Sequence, residues 1–129
     1  MIKNTFLYTV FALSCLSPLA SLAETSGDQF LGKCAWDQGD FLVYQNKEQN
    51  IFRFEITNGA QKKDVVFDKK LVRLAYDADA SYWKFRNGRN NGVFSWNYDT
   101  GIGHLKYVEG EYFYWSLTNC NIDERDISN

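Results

Sequence analysis

Histidine, the side chain most often used for metal binding and general base catalysis, occurs only once in this chain of 129 residues, as His104. Once two of the cysteines pair, the chain has too few histidine and cysteine ligands for a zinc site. A serine nucleophile with His104 as its base could be drawn from Ser81, Ser95 or Ser116. No nucleophile-elbow pattern surrounds any of these serines. The sequence predicts no enzyme, no metal site and no cofactor.

Proline is equally scarce, because Pro18 near the N terminus is the single copy. The rest of the chain also lacks serine- and glycine-rich linkers and low-complexity runs, so nothing marks a boundary between domains. We therefore predict one domain over residues 24–129. Its polar residues after Cys120 are expected to fray.

Strong charge of either sign is missing as well. The formal net charge is −2, and a mildly acidic chain is not typical of a general nucleic-acid binder. The apolar stretch at residues 5–16 is too short to cross a bilayer. We expect neither a nucleic-acid partner nor a membrane span.

That apolar stretch has the features of an export signal over residues 1–23. Lys3 supplies the positive n-region, residues 5–16 form the h-region, and small residues at Ser21 and Ala23 precede a cleavage site before Glu24. Its removal discards the first of three cysteines and leaves an even pair, Cys34 and Cys120. This points to a small exported domain, periplasmic or secreted, that is closed by a disulfide.

Cys15 permits a second interpretation. Residues 12–15 (Ala-Leu-Ser-Cys) can be a lipobox whose cysteine carries a lipid anchor in a bacterial membrane. Against this, the h-region before Cys15 is short and Ala12 stands where leucine is usual. A cysteine lost with the discarded signal is the simpler interpretation.

Period-two alternation recurs through the rest of the chain. Phe52, Phe54 and Ile56 fall on one side of an extended segment that runs to the turn dipeptide Asn58-Gly59. Short segments with turn formers between them are typical of an antiparallel barrel or sandwich, and closure into a barrel removes exposed strand edges. We predict an all-β fold, a single small antiparallel β-barrel of about eight strands. The candidate strands are residues 41–45, 51–57, 64–67, 71–76, 81–86, 93–98, 104–108 and 112–118.

Three aspartates in the predicted turns are candidate ligands for calcium. Asp77 and Asp79 share one face if the chain is extended, and Asp99 can join them, but the spacing lacks the glycine and terminal glutamate of an EF-hand. Solvated turn carboxylates are the simpler interpretation. If activity were found, His104 with Asp99 or Asp77 would be the first residues to test.

A basic segment stands out in this acidic chain. Lys84 and Arg86 alternate along one face of a predicted strand while Trp83 and Phe85 point to the other, and Arg89 follows in a turn rich in glycine and asparagine. Such a segment can serve as a recognition site for an anionic partner. An ordinary solvated strand face is the alternative.

At these residues the sequence resembles the bacterial inhibitors of c-type lysozyme, a family of small exported β-barrels. The resemblance is strongest over residues 80–120, and Tyr82 stands where the family has glycine. The segments that carry it are residues 80–85 (ASYWKF), the turn at 87–92, residues 94–96 (FSW) and residues 118–120 (TNC).

The resemblance implies a function and a set of residues. The family's end-to-end disulfide would pair Cys34 with Cys120. Ser81 and Lys84 would enter the lysozyme cleft and engage its catalytic carboxylates, and Arg86 or Arg89 would add a second cation. The expected partner is a lysozyme or a related muramidase, which would be blocked by occlusion.

Two other functions remain open from the sequence. One is a small-ligand-binding barrel with an interior pocket lined by Tyr76, Trp83, Trp96 and Trp115, although such aromatics more often fill the core of a small barrel. The other is an immunity protein that neutralises a periplasmic toxin. Such a protein would also be exported and would also act by binding a protein partner.

Overall fold

The computed structural model describes residues 27–123 and residue 127. The predicted signal peptide and Cys15 lie outside these residues. The described chain forms nine β-strands and one short 3-10 helix, Lys69–Leu71. The strands are β1 (Asp28–Trp36), β2 (Gly39–Asn46), β3 (Ile51–Asn58), β4 (Gln61–Asp68), β5 (Val72–Asp77), β6 (Tyr82–Asn87), β7 (Gly92–Asn97), β8 (Gly103–Glu109) and β9 (Glu111–Ile122).

The eight predicted strands correspond to β2 to β9. In the β3–β4 hairpin, Phe52, Phe54 and Ile56 are all buried, as their alternation predicts. Asn58 pairs with Gln61 across a two-residue turn in which Gly59 has a φ of +60°. Glycine adopts this left-handed conformation at little cost. The all-β prediction is confirmed.

All nine strands belong to one antiparallel sheet with the order β4-β3-β2-β1-β9-β8-β7-β6-β5. The order is linear, and the paired registers include no ladder between the end strands β4 and β5. The predicted closure into a barrel is therefore not confirmed. The two end strands are instead joined in sequence through the 3-10 helix Lys69–Leu71.

The sheet is folded over an aromatic core. We call β1–β4 the N-terminal wing and β5–β9 the C-terminal wing. The ring of Phe94 on β7 lies 5.6 Å from that of Phe41 and 4.8 Å from that of Phe54, and Phe52 lies 4.6 Å from Phe85. The inner faces of the two wings therefore pack against each other, and their outer faces are left for solvent or partners.

The two wings join in the sheet where β1 pairs with β9, and both strands are irregular there. Gly32, at a shift in the β1–β2 register, has a φ of +151°, and a Cβ on it would meet the backbone of Asn121. Cys34 on β1 is bonded to Cys120 on β9, with their Cα atoms 4.0 Å apart. The predicted Cys34–Cys120 disulfide is confirmed.

The end of β9 extends into the segment that the sequence predicted to fray. Asn121 and Ile122 pair with Lys33 and Gly32 of β1. Ile122 is buried, and Ile127 packs against the core cluster. Among the residues that the structure describes, no helix is long and apolar enough to cross a membrane.

The outer face of the N-terminal wing holds a cation that is surrounded by carboxylates. The guanidinium of Arg53 on β3 lies 2.7 Å from Asp28, 2.9 Å from Glu55 and 3.2 Å from Asp64. It also lies over the ring of Tyr44, 4.3 Å from its centroid. The three carboxylates outnumber the guanidinium, and Lys62 adds a second cation within 4.0 Å of Glu55 and Asp64.

Candidate partner-binding face

Strand β6 places Lys84 and Arg86 on the outer face of the C-terminal wing. Phe85 between them is fully buried in the core, and Trp83 packs against it. Arg86 is exposed and Lys84 is partly exposed. The strand is therefore fixed by its aromatic residues while its two cations stay accessible, as the alternation of the sequence predicts.

The sheet register adds two further cations to this surface. Arg73 on β5 is directly opposite Arg86, and on the other side Arg86 pairs with Val93, which in turn pairs with Lys106 on β8. Residues directly opposite each other in antiparallel strands share a face. We call Arg73, Lys84, Arg86 and Lys106 the basic face.

Within residues 27–123, none of these four cations has a carboxylate partner within 4.0 Å. The ion pairs within 4.0 Å among the described residues all involve Arg53 or Lys62, both in the N-terminal wing. Arg53 and Lys62 of the N-terminal wing thus have carboxylate partners, whereas the four cations of the basic face have none among the described residues of a chain that is acidic overall. Several such cations on one face attract anionic groups.

Exposed aromatic rings lie beside the basic face. Tyr114 on β9 is directly opposite Lys106, and Tyr112 is two residues away on the same side of the strand. Tyr112 is 62% exposed and Tyr114 is 54% exposed. Their rings stack with centroids 6.5 Å apart. Exposed tyrosines beside cations are typical of protein-binding surfaces, where aromatic residues provide contact area at low entropic cost.

His104 lies among these side chains, with its ring stacked on Tyr114 at 6.1 Å. Burial, and then the positive charges of Lys106 and Lys84, lower the pKa of His104 below its ordinary value. The hydroxyl of Ser95 lies 3.3 Å from the imidazole nitrogens, but Ser95 is fully buried. This serine cannot reach a substrate, so the Ser95–His104 contact has the character of a satisfied polar pair.

The lowered pKa of His104 predicts a pH dependence of stability. The unfolded chain takes up a proton at this histidine near its ordinary pKa of 6.5, whereas the folded chain does so only at lower pH. The unfolded state therefore binds more protons in that interval, and the free energy of unfolding should fall as the pH is lowered through 6.5. Urea titrations between about pH 7.5 and 5.5, above the range where carboxylates titrate, would measure this slope.

A His104→Gln variant provides the control for that slope. It should show a flatter dependence of unfolding free energy on pH over the same interval, because the titrating group is gone. Equal slopes in the two proteins would mean that His104 has the same proton affinity in both states.

The structure places Ser81 differently from the cations. Ser81 lies in the β5–β6 turn with a φ of +57°, and its hydroxyl donates a hydrogen bond of 2.6 Å to the carboxylate of Asp99. Its carbonyl oxygen also accepts a bond from the backbone N–H of Tyr98. A serine hydroxyl has a single proton to donate, so Ser81 must release Asp99 before it can donate to a partner.

Arg89 is also separate from the basic face. It lies in the β6–β7 turn, at the opposite end of β6 from Ser81, roughly 20 Å of strand away. There it lines a different groove together with Asp64 and Glu109. The structure therefore brings Lys84 and Arg86 together but leaves Ser81 and Arg89 at the two ends.

The aspartates considered for calcium have local roles in turns. Asp77 accepts hydrogen bonds from the backbone N–H groups of Asp79 and Ala80, and Asp99 accepts from Ser81. Across the described residues, no group of three or more histidine, cysteine, aspartate or glutamate side chains has the geometry to hold a metal ion.

The four aromatics proposed to line an interior pocket pack in and around the core. Trp96 is 1% exposed and contacts Phe85 and Phe94. Trp83 stacks on Trp96, and Tyr76 at the sheet edge is half exposed. Trp115 packs against the core. These positions indicate a structural role for the rings.

Sequence reasoning found Lys84 and Arg86 but not Arg73, Lys106, Tyr112 or Tyr114. These four residues lie on three separate strands, β5, β8 and β9, and only the strand register brings them together. Comparison of the chain with protein-family models, curated proteins and solved structures finds no match. The assignment of function therefore depends on the chemistry of the basic face.

Proposed function

We propose that this protein is an exported inhibitor that binds and occludes the active-site cleft of a lysozyme-like cell-wall hydrolase. Catalysis by such enzymes relies on a pair of carboxyl groups that flank the scissile bond. A partner that fills this cleft must therefore present cations to it. The basic face meets this requirement, because it places four cations on one surface.

One observation supports the proposal above all others. Four cations share one outer face and none of them has a carboxylate of a described residue within 4.0 Å, although the chain as a whole is acidic. A charged group that already has an internal partner gains little from a second one, whereas an unpaired cation gains a charge-assisted hydrogen bond on meeting a carboxylate. The gain increases as the interface excludes water.

The position of each residue on the basic face determines its proposed contact with the partner. Lys84 and Arg86 at the centre of the face would contact the carboxylates of the cleft, and Tyr112 and Tyr114 would provide apolar contact at its margin. Ser81, whose hydroxyl is engaged by Asp99, would hold the β5–β6 turn in place or exchange its partner on binding. The inhibition would be competitive occlusion without catalysis.

Export follows from the same proposal. A disulfide between Cys34 and Cys120 persists in an oxidising compartment such as the periplasm or the exterior. A target that degrades cell walls acts in that compartment too. Loss of residues 1–23 as a signal would release the protein there, and acylation of Cys15 would instead anchor it to the membrane.

The test is lysis of a cell-wall suspension by a c-type lysozyme, measured with increasing amounts of the oxidised protein. We expect saturable inhibition by the wild type. A Lys84→Glu/Arg86→Glu double variant should weaken the inhibition constant by about a hundredfold or more, since two attractive charges become repulsive.

A Lys33→Glu/Lys47→Glu variant is the matched control. It produces the same change in net charge at two exposed positions of the N-terminal wing, so it should inhibit as well as the wild type. Equal weakening in both variants would indicate a net-charge effect and not a binding face. If the folded, oxidised wild type leaves the rate unchanged, c-type inhibition is wrong, and other wall hydrolases and periplasmic toxins become the partners to screen.

A further inference from the structure

Three cations surround a groove at the free edge of the C-terminal wing. Lys70 comes from the 3-10 helix, Arg73 from β5 and Arg86 from β6, and all three line a groove of about 560 Å³. The remaining lining is uncharged and includes Gly88, Gly92 and Val93. In the part of the chain that the structure describes, no carboxylate side chain lines this groove.

The arrangement of the two arginines is unfavourable without a bound anion. Arg73 and Arg86 are directly opposite each other in adjacent antiparallel strands, and like charges at such positions destabilise a sheet. Here neither arginine has an ion pair with a described residue, and the one acidic residue next to Lys70 in the helix region, Asp68, accepts a bond from the backbone N–H of Lys70.

The chemistry of the groove defines the anion that would fit. Guanidinium groups bind tetrahedral and planar oxyanions through paired hydrogen bonds. A carboxylate carries one negative charge and would leave one arginine unbalanced, whereas a phosphate monoester carries nearly two. The volume of the groove also exceeds that of a single phosphate, which leaves room for the group to which the phosphate is esterified.

We propose that the groove between Lys70, Arg73 and Arg86 is a binding site for the phosphate group of a phosphorylated ligand. Arg73 and Arg86 hold the phosphate oxygens between them, and Lys70 adds a third positive charge from the helix side. The site shares Arg73 and Arg86 with the basic face, but phosphate binding requires no hydrolase and can be measured apart from inhibition. A soluble phosphate ester and a phosphate headgroup on a lipid surface share this chemistry.

The experiment measures the thermal unfolding of the oxidised protein in buffers of matched ionic strength that contain sodium chloride, inorganic phosphate or pyrophosphate. A ligand that binds only the folded state raises Tm by an amount that increases with the logarithm of its concentration relative to its Kd. We expect phosphate and pyrophosphate to raise Tm above the chloride value for the wild type. Arg73→Gln and Lys70→Gln should each reduce the affinity obtained from this shift by about tenfold or more.

Two features keep this test decisive. Arg73 and Lys70 are both exposed, so their variants should fold, and Arg73→Gln should even raise Tm in chloride because it removes the repulsion with Arg86. Lys33→Gln, an exposed cation outside the groove, should keep the full phosphate shift. The proposal is overturned if phosphate and pyrophosphate leave Tm of the wild type unchanged, or if they shift Arg73→Gln, Lys70→Gln and wild type equally.

A second arm identifies the source of the phosphate. Vesicles of phosphatidylcholine with phosphatidic acid present a phosphate monoester on a surface, whereas pure phosphatidylcholine vesicles do not. Co-sedimentation with the first and not the second, lost in Arg73→Gln, would support a lipid headgroup as the ligand. A Tm shift in solution without co-sedimentation would support a soluble phosphate ester.

Discussion

Loss of the Cys34–Cys120 bond is expected to lower the free energy of unfolding by about 4 to 5 kcal/mol. The two cysteines are separated by 86 positions in the sequence, and a cross-link across so long a loop removes much of the conformational entropy of the unfolded chain. A domain of this size has a total stability of about 5 to 15 kcal/mol. The reduced protein should therefore be only marginally stable, which is measurable as a lower urea midpoint.

The location of the bond adds to this effect. The N-terminal and C-terminal wings share one ladder of the sheet, between β1 and β9, with Gly32–Ile122, Lys33–Asn121 and Ala35–Thr118 as its paired residues. The disulfide lies within this short, irregular ladder. We expect the amide protons of β1 and β9 to lose protection from exchange before those of other strands when the bond is reduced.

Two forms of the protein distinguish the stability that comes from the cross-link from the stability that comes from packing of the cysteine side chains. Reduced wild type keeps both buried cysteines, whereas Cys34→Ala/Cys120→Ala loses their side-chain contacts as well. Both should be destabilised relative to the oxidised protein, the double variant slightly more. A urea midpoint of reduced wild type equal to that of the oxidised form would contradict the prediction.

The strands predicted from sequence are those in which alternation is regular. In β3, Phe52, Phe54 and Ile56 are buried and the residues between them are not, so a period of two is visible in the sequence. Strand β1 was missed because Leu31 and Gly32 are buried consecutively. The register shift at Gly32 disrupts the alternation, and such a shift becomes apparent only when the neighbouring strands are in place.

In the candidate site, too, the sequence predicts what depends on alternation within one strand and not what depends on the register between strands. Lys84 and Arg86 lie two residues apart in one strand, so their common face follows from the pleat alone. Arg73 joins them because β5 pairs with β6, and Lys106 joins them because β7 pairs with both β6 and β8. These pairings depend on turn lengths and register. Nor does the sequence show that Asp99 holds the hydroxyl of Ser81, because that contact spans two turns.

The two wings have different roles that follow from their charges. Arg53 and its carboxylates stabilise the outer face of the N-terminal wing from within. The C-terminal wing has no equivalent network among the described residues, and its outer cations depend on the aromatic inner face to fix their strands. Any function of the basic face therefore requires that the two inner faces remain packed together.

Phe94→Ala tests that packing and is expected to lower the free energy of unfolding by about 3 to 5 kcal/mol. Phe94 is fully buried, and its ring contacts Phe41 and Phe54 of the N-terminal wing as well as Phe85 and Trp96 of its own. Truncation to alanine removes these contacts and leaves a cavity between the wings. Urea unfolding of the oxidised proteins would measure the loss.

Phe30→Ala is the matched control, since it removes the same atoms from a ring that is 54% exposed on the outer side of β1. Its cost should be about 1 kcal/mol or less. A cost for Phe94→Ala no larger than that of Phe30→Ala would mean that the wings do not depend on this ring. Because Phe94 is opposite Phe85, which lies between Lys84 and Arg86, the variant should also weaken inhibition without any change in the charge of the basic face.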